Sequence, residues 1–141
     1  MDKRSAPAGY YLLLVLLLFQ ALSGLTGGIL LVSAPSGSTL HMPPGLLDGS
    51  PFENFFIPGL ILLLLLGLLP VAVTLAVWKK YRLARTWSFL TGLILIIWIS
   101  VQIVMTGYRA DPPLQAIYGT IGILIIITVS SSSVRRYLEN E

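Results

Sequence analysis

The chain has no cysteine, a single histidine, and only nine Lys or Arg and six Asp or Glu among 141 residues. Without cysteine there is no disulfide framework, no thiolate metal site and no thiol–disulfide relay, which rules out the small membrane-embedded disulfide oxidases. The lone histidine, His41, has Asp48 and Glu53 as its nearest carboxylates in sequence, and that spacing matches no recognised metal-ligand pattern. Such a trio in a loop reads as solvated or locally hydrogen-bonded, so no metal or other cofactor is assigned. Serines are plentiful, but none sits in a local nucleophile motif, so no catalytic residue is assigned and the chain reads as a non-enzyme. The pI near 9.5 would suggest nucleic acid only if the basic residues clustered on a soluble face, and they do not.

What the chain has in excess is apolar sequence: 55% hydrophobic residues, 11% charged, and a mean hydropathy of +0.86. A soluble domain carries roughly a quarter charged residues, so the composition is that of a membrane protein. A helix needs about 20 apolar residues to cross the hydrocarbon core. Four segments meet that need, at about 10–32, 58–78, 87–107 and 113–130, and none contains Asp, Glu, Lys, Arg or His. The expected fold is therefore all-α: a single domain, 1–141, of four transmembrane helices in an antiparallel bundle. An outer loop, 33–57, joins the first two spans. The short link at 79–86 makes the second and third spans antiparallel neighbours.

Eight of the nine basic residues fall outside the spans in three places: Lys3 and Arg4, then Lys79, Lys80, Arg82 and Arg85, then Arg135 and Arg136. The other two connections hold only Arg109. The positive-inside rule puts both termini and the middle link in the cytoplasm, in a multi-pass protein of the plasma membrane. Tyr10, Tyr11, Trp78, Tyr81, Trp87 and Tyr137 fall where inner interfaces are expected, and Phe52, Phe55, Phe56 and Tyr108 where outer ones are. The fourth helix is expected to start with Asp111 as N-cap and Pro112 at the first helical position. The serines at 130–133 read as a polar exit to the cytoplasm. Lys3-Arg4, the following apolar run and Ala21-Leu22-Ser23 resemble a secretory signal, but apolar character continuing to Val32 favours an uncleaved span.

Ionisable residues inside spans mark ion paths and substrate sites, and this chain has none there. A proton-coupled exporter would lose its central carboxylate. The polar residues in the spans are uncharged. Pro70 introduces a kink and frees the carbonyl of Leu66, four residues earlier. At about 1.5 Å per residue, Leu66 lies roughly 18 Å above Trp78, Ser100 roughly 20 Å above Trp87, and Gln20 about 15 Å above Tyr10. Gln20, Ser100 and Gln102 are thus expected to face inward near that carbonyl, either as packing glue or as a polar pocket for a lipid headgroup or quinone. Gly24 and Gly28 form a GxxxG pair; internal packing is the default use and homodimerisation the second.

The outer loop carries turn chemistry at Pro35-Ser36-Gly37, Pro43-Pro44-Gly45 and Asp48-Gly49. Ser50, Pro51 and Glu53 then form a capping box, with Ser50 at the N-cap and Glu53 at the third helical position. A short interfacial helix is therefore expected over 51–57, with Phe52, Phe55 and Phe56 on one face and a second kink at Pro58 leading into the span. His41, Asp48, Phe52, Glu53, Phe55, Phe56 and Arg109 make up an expected outer-face interaction surface, against lipid headgroups, the bundle top or another membrane protein.

Several of these short stretches also carry a resemblance: Gly27-Gly28, Pro35-Ser-Gly-Ser38, Met42-Pro43, Gly49-Ser-Pro-Phe52, Phe56-Ile-Pro-Gly59, Gly107-Tyr-Arg109, Pro113-Leu-Gln115, Tyr118-Gly119 and Val134-Arg-Arg-Tyr137. Together they resemble a group of small, uncharacterised four-span bacterial membrane proteins, over nearly the whole chain. That resemblance implies a bacterial plasma-membrane location and assigns no activity to any residue.

Three functions stay open at this level. The first is a structural or accessory component that stabilises or regulates a larger membrane assembly or the bilayer. The second is a transporter or channel for a neutral or lipidic solute, which needs a polar-lined path. The third is an outer-face enzyme acting on lipid, which needs His41, Asp48, Glu53 and Arg109 to converge.

Overall fold

The computed structural model describes residues 6–38, 50–107 and 114–139, and every regular element among them is helical. In chain order these are α1 (Ala8–Ser33), α2 (Phe56–Leu63), a π-helical turn (Leu64–Leu68), α3 (Leu69–Trp78), α4 (Ala84–Thr106), α5 (Leu114–Ser130) and α6 (Ser132–Glu139). His41, Asp48, Arg109 and the expected Asp111 cap lie outside the described residues.

Three stretches, Ala8–Ser33, Phe56–Trp78 and Ala84–Met105, are long and apolar enough to cross a membrane. A fourth qualifies when α5 is joined to α6 across a 64° bend. These runs are dominated by Leu, Ile and Val, and a helix satisfies its own backbone polar groups without water. Their outward faces are as apolar as their core: Val15 is 63% exposed, Ile127 60% and Val104 85%. Helices that are hydrophobic all round suit a hydrocarbon environment, not an aqueous one.

Glycines set how closely the helices approach. α1 pairs with the α2–α3 stretch in opposite senses: Leu31 sits against Gly59, Gly28 against Leu63, Gly24 against Leu66, and Tyr10 against Val77. A Cβ on Gly24 would collide with the Leu66 carbonyl, and one on Gly28 would lie 2.6 Å from the Leu63 backbone. The GxxxG face is therefore packed against the chain's own 63–67 segment. α4 and α5 repeat the device: a Cβ on Gly92 would lie 2.9 Å from the Gly122 carbonyl oxygen, and one on Gly122 3.1 Å from that of Gly92. α5 also lies along α1, where the Phe19 and Tyr118 rings stack at 6.0 Å. The core between these elements holds Leu13, Leu17, Leu66, Val73, Val77, Leu95, Ile125 and Val129.

Two local expectations are corrected. No helix begins at Pro51: residues 51–55 are irregular, and α2 starts at Phe56. The Ser50 hydroxyl accepts from the Phe52 amide at 3.3 Å, a tight serine turn two residues on, instead of reaching Glu53 as a capping box would. Two other bonds outcompete the box. The Phe55 amide donates to the Pro35 carbonyl at 2.8 Å, tying the loop to the end of α1, and the Asn54 side chain accepts from the Phe56 amide at 2.9 Å. Phe52, Phe55 and Phe56 therefore share no helical face: the first two are half-buried and Phe56 is exposed. Pro58 falls inside the first turn of α2, where its missing N–H would have had no helical partner, so it makes no kink.

The second correction concerns the tail. The serines at 130–133 do not simply exit; the chain turns and forms α6, which buries Val134 and Leu138 and exposes Arg135 and Arg136.

Gly24→Ala is expected to destabilise the protein by about 1–3 kcal/mol through overpacking, because the obstructing atoms are backbone. Gly119→Ala, whose Cβ would meet nothing nearer than 3.8 Å, is expected to be neutral or slightly stabilising. Thermal unfolding in mild detergent checks the pair, and equal midpoints would contradict the packing described.

Candidate functional site

The best-defined polar constellation lies where α1 crosses the π turn. Residue 70 is proline, so the Leu66 carbonyl lacks the amide that an α-helix would supply four residues later. Just before it the helix widens, the Leu69 amide donating to the Leu64 carbonyl five residues back. The irregularity at Pro70 thus takes the form of a π turn. The exposed Leu66 carbonyl then receives the Gln20 Nε2 at 3.0 Å from α1. Gln20 and Gly24 are one turn apart on the same face: the amide supplies the donor, and the bare glycine lets the carbonyl close in. Gln20 is 2% exposed, and its Oε1 has no hydrogen-bond partner.

Ser100, also assigned to this layer, does not join it. Ser100 is exposed on α4, and its hydroxyl donates to the Ile96 carbonyl of its own helix at 2.8 Å. It does not join Gln20, because back-bonding to the previous turn satisfies a hydroxyl without any partner helix. Thr74, Thr91 and Thr120 do the same, to Pro70, Trp87 and Ala116. Gln102 is half-buried on α4. At the other end of α5, the Gln115 Nε2 donates to the Gly107 carbonyl at 3.2 Å, closing the end of α4, where Gly107 takes φ +81°.

A second constellation, unforeseen in the sequence, docks α6. The Tyr10 hydroxyl lies 3.4 Å from both the Val77 and the Trp78 carbonyl oxygens and shares its one proton between them, answering the C-terminal end of α3. The Tyr10 ring meets Tyr137 edge-on at 4.9 Å, and the Lys80 ammonium sits 3.6 Å from the Tyr137 ring centre. Lys80 itself has φ +56°, in the left-handed region. It closes α3 in a Schellman motif: the Tyr81 amide donates to Ala76 at 2.9 Å and the Lys80 amide to Val77 at 3.1 Å. Glycine usually fills that position, because a side chain there costs about 1–2 kcal/mol. Here the lysine brings its ammonium onto Tyr137, a contact worth about 0.5–1 kcal/mol at an exposed site. Arg85 completes the clamp with an ion pair to Glu139 at 2.9 Å. The signal for α6 was available in the spacing of Val134, Tyr137 and Leu138, three and four residues apart beside two arginines.

Of the expected outer-face surface, Glu53 and Phe56 are exposed, and Phe52 and Phe55 are half-buried. Among the described residues no group of three or more His, Cys, Asp or Glu could hold a metal ion. No known protein family, curated protein or solved structure matches the chain.

Two measurements probe these constellations. Gln20→Leu is expected to cost about 0.6 kcal/mol, up to ~2, by leaving the Leu66 carbonyl unanswered. In a Pro70→Ala background, which restores the backbone donor, the same change is expected to cost less; an additive cycle would refute the coupling. Tyr137→Ala is expected to undock α6 and speed tryptic cleavage at Arg135 and Arg136. Glu139→Gln removes an exposed pair worth about 0–1 kcal/mol and is expected to have a smaller effect.

Proposed function

We propose that the protein is a structural or accessory membrane component: a four-span antiparallel bundle that stabilises or regulates a larger assembly or the bilayer around it. In this reading it lies in a plasma membrane of bacterial type with both termini and the 79–83 link cytoplasmic. α6 then rests along the inner interface, apolar residues inward and arginines toward headgroups.

The observation that carries the proposal is where the polar groups of the spans go. The Gln20 amide binds a backbone carbonyl, and the hydroxyls of Thr74, Thr91, Ser100 and Thr120 bind their own helices. Polar groups so engaged hold helices together and leave little to line a path for solute. That weighs against the transporter or channel reading, which needs Ser100 and Gln20 on one passage. The reading as an outer-face lipid enzyme gains nothing from Glu53, which is exposed in an irregular segment. A non-enzymatic role, partnered by the bilayer and by another membrane protein, fits these side chains best.

Two tests address separate parts of the proposal. The natural chain has no cysteine, so single reporters carry no background. Ser36→Cys is expected to react with a membrane-impermeant maleimide in intact cells, and Ser133→Cys only after permeabilisation; the reverse pattern would overturn the topology. Purification of the full chain in native nanodiscs, followed by mass spectrometry, is expected to recover a stoichiometric membrane-protein partner. Recovery of a lone monomer across growth conditions would overturn the accessory role.

A further inference from the structure

All six described cations, Lys79, Lys80, Arg82, Arg85, Arg135 and Arg136, lie at one end of the protein, with Glu139 the single described acid among them. The same end carries a collar of exposed aromatics, Trp78, Tyr81 and Trp87, of the kind that sits at headgroup level. Between the start of α4 and the end of α5 lies an open cavity of about 220 Å³, lined by Arg85, Thr86, Phe89, Leu90, Val129 and Ser130.

The lining is divided by chemistry. Arg85, Thr86 and Ser130 offer a guanidinium and two hydroxyls toward the basic end. Phe89, Leu90 and Val129 offer an apolar wall toward the middle of the bundle. Arg85 is only partly satisfied: one terminal nitrogen is held by Glu139 at 2.9 Å, while its Nε–H is buried without any acceptor. The rest of the guanidinium is partly exposed, and a phosphate oxygen is a strong charge-assisted partner for its N–H groups. Glu139 is a weak competitor, since its pair with Arg85 is partly exposed, at 36% and 51% of the two side chains.

We infer that this α4–α5 cavity is a binding site for one anionic phospholipid, its phosphate on Arg85, Thr86 and Ser130 and its upper acyl chain along Phe89, Leu90 and Val129. The inference rests on the membrane reading above. A free phosphate would use the polar half alone. The apolar half, continuous with the exposed face of Phe89, selects a phosphate that carries hydrocarbon. Glu139 serves as the resident anion that the headgroup displaces in part.

Native mass spectrometry of the full chain released from nanodiscs tests this, with phosphatidylglycerol, phosphatidylcholine and soluble glycerol phosphate as probes. Wild type is expected to retain one phosphatidylglycerol over phosphatidylcholine by about tenfold: both lipids carry the phosphate, but in phosphatidylcholine the choline ammonium offsets its attraction to Arg85. Arg85→Gln is expected to remove most of that preference, and Glu139→Gln to increase it. Leu90→Trp, which fills the apolar wall and leaves every charge in place, is expected to weaken retention of both lipids; it keeps the test decisive should Arg85→Gln fold poorly. An inserted protein with no preference would overturn the site and leave the membrane reading intact, whereas failure to enter nanodiscs at all would overturn that reading first. A preference that survives both Arg85→Gln and Leu90→Trp would place binding on the basic collar at large and refute the cavity. Displacement by equimolar glycerol phosphate would refute the requirement for hydrocarbon.

Discussion

A proline inside an apolar helix leaves one carbonyl without its donor, and in this chain that carbonyl belongs to Leu66. Leaving such a carbonyl unanswered costs about 0.6 kcal/mol, up to ~2, a share of stability large enough to favour the arrangement that supplies a partner. The supply comes from Gln20 at 3.0 Å, which fixes the depth and rotation of α1 against the π turn. Gly24, one turn further along α1, makes the approach close enough, and Gly28 continues the seam to Leu63. Polar satisfaction and steric thinning thus act at the same crossing, and the first two spans cannot slide or rotate without losing both.

The remaining elements build outward from that crossing with different devices. α4 and α5 approach closely because Gly92 and Gly122 let their backbones meet directly, and Gln115 ties α5 to the Gly107 end of α4. At the charged end, packing gives way to aromatic and ionic contacts. Tyr10 covers the end of α3, Tyr137 leans on Tyr10, and Lys80 and Arg85 hold α6 from two sides. Such contacts suit an interface, where water or headgroups are near and hydrocarbon packing ends. The described ionic contact and most aromatic contacts therefore gather at the charged end, while Gln20 and the hydroxyls of Thr74, Thr91, Ser100 and Thr120 bond to backbone carbonyls.

Much of this was legible in residue order, for identifiable reasons. The span positions follow from runs of Leu, Ile and Val longer than a bilayer core needs, and the observed helices begin and end within a few residues of them. That the Leu66 carbonyl is freed follows from the covalent chemistry of Pro70 alone. The capping box at Ser50 was misleading because a box is a local pattern. The Phe55–Pro35 bond, twenty residues apart in sequence, outweighed it in setting where the second helix starts. Ser100 was assigned inward by depth, but depth is only one coordinate, and its position around the helix axis put it outside.

Residue order by itself determined the all-helical class, the lengths of the apolar stretches, the placement of charge between them and the carbonyl that Pro70 deprives of its donor. Each of these depends on short-range chemistry: hydropathy over about 20 residues, backbone donors, and the absence of an N–H in proline. Only the tertiary structure decided that Gln20 answers Leu66, that Gly24 and Gly28 are covered from within the chain, and that the tail folds back as α6. Those outcomes depend on which faces of separate helices meet, and rotation about a helix axis is settled by packing across many residues at once.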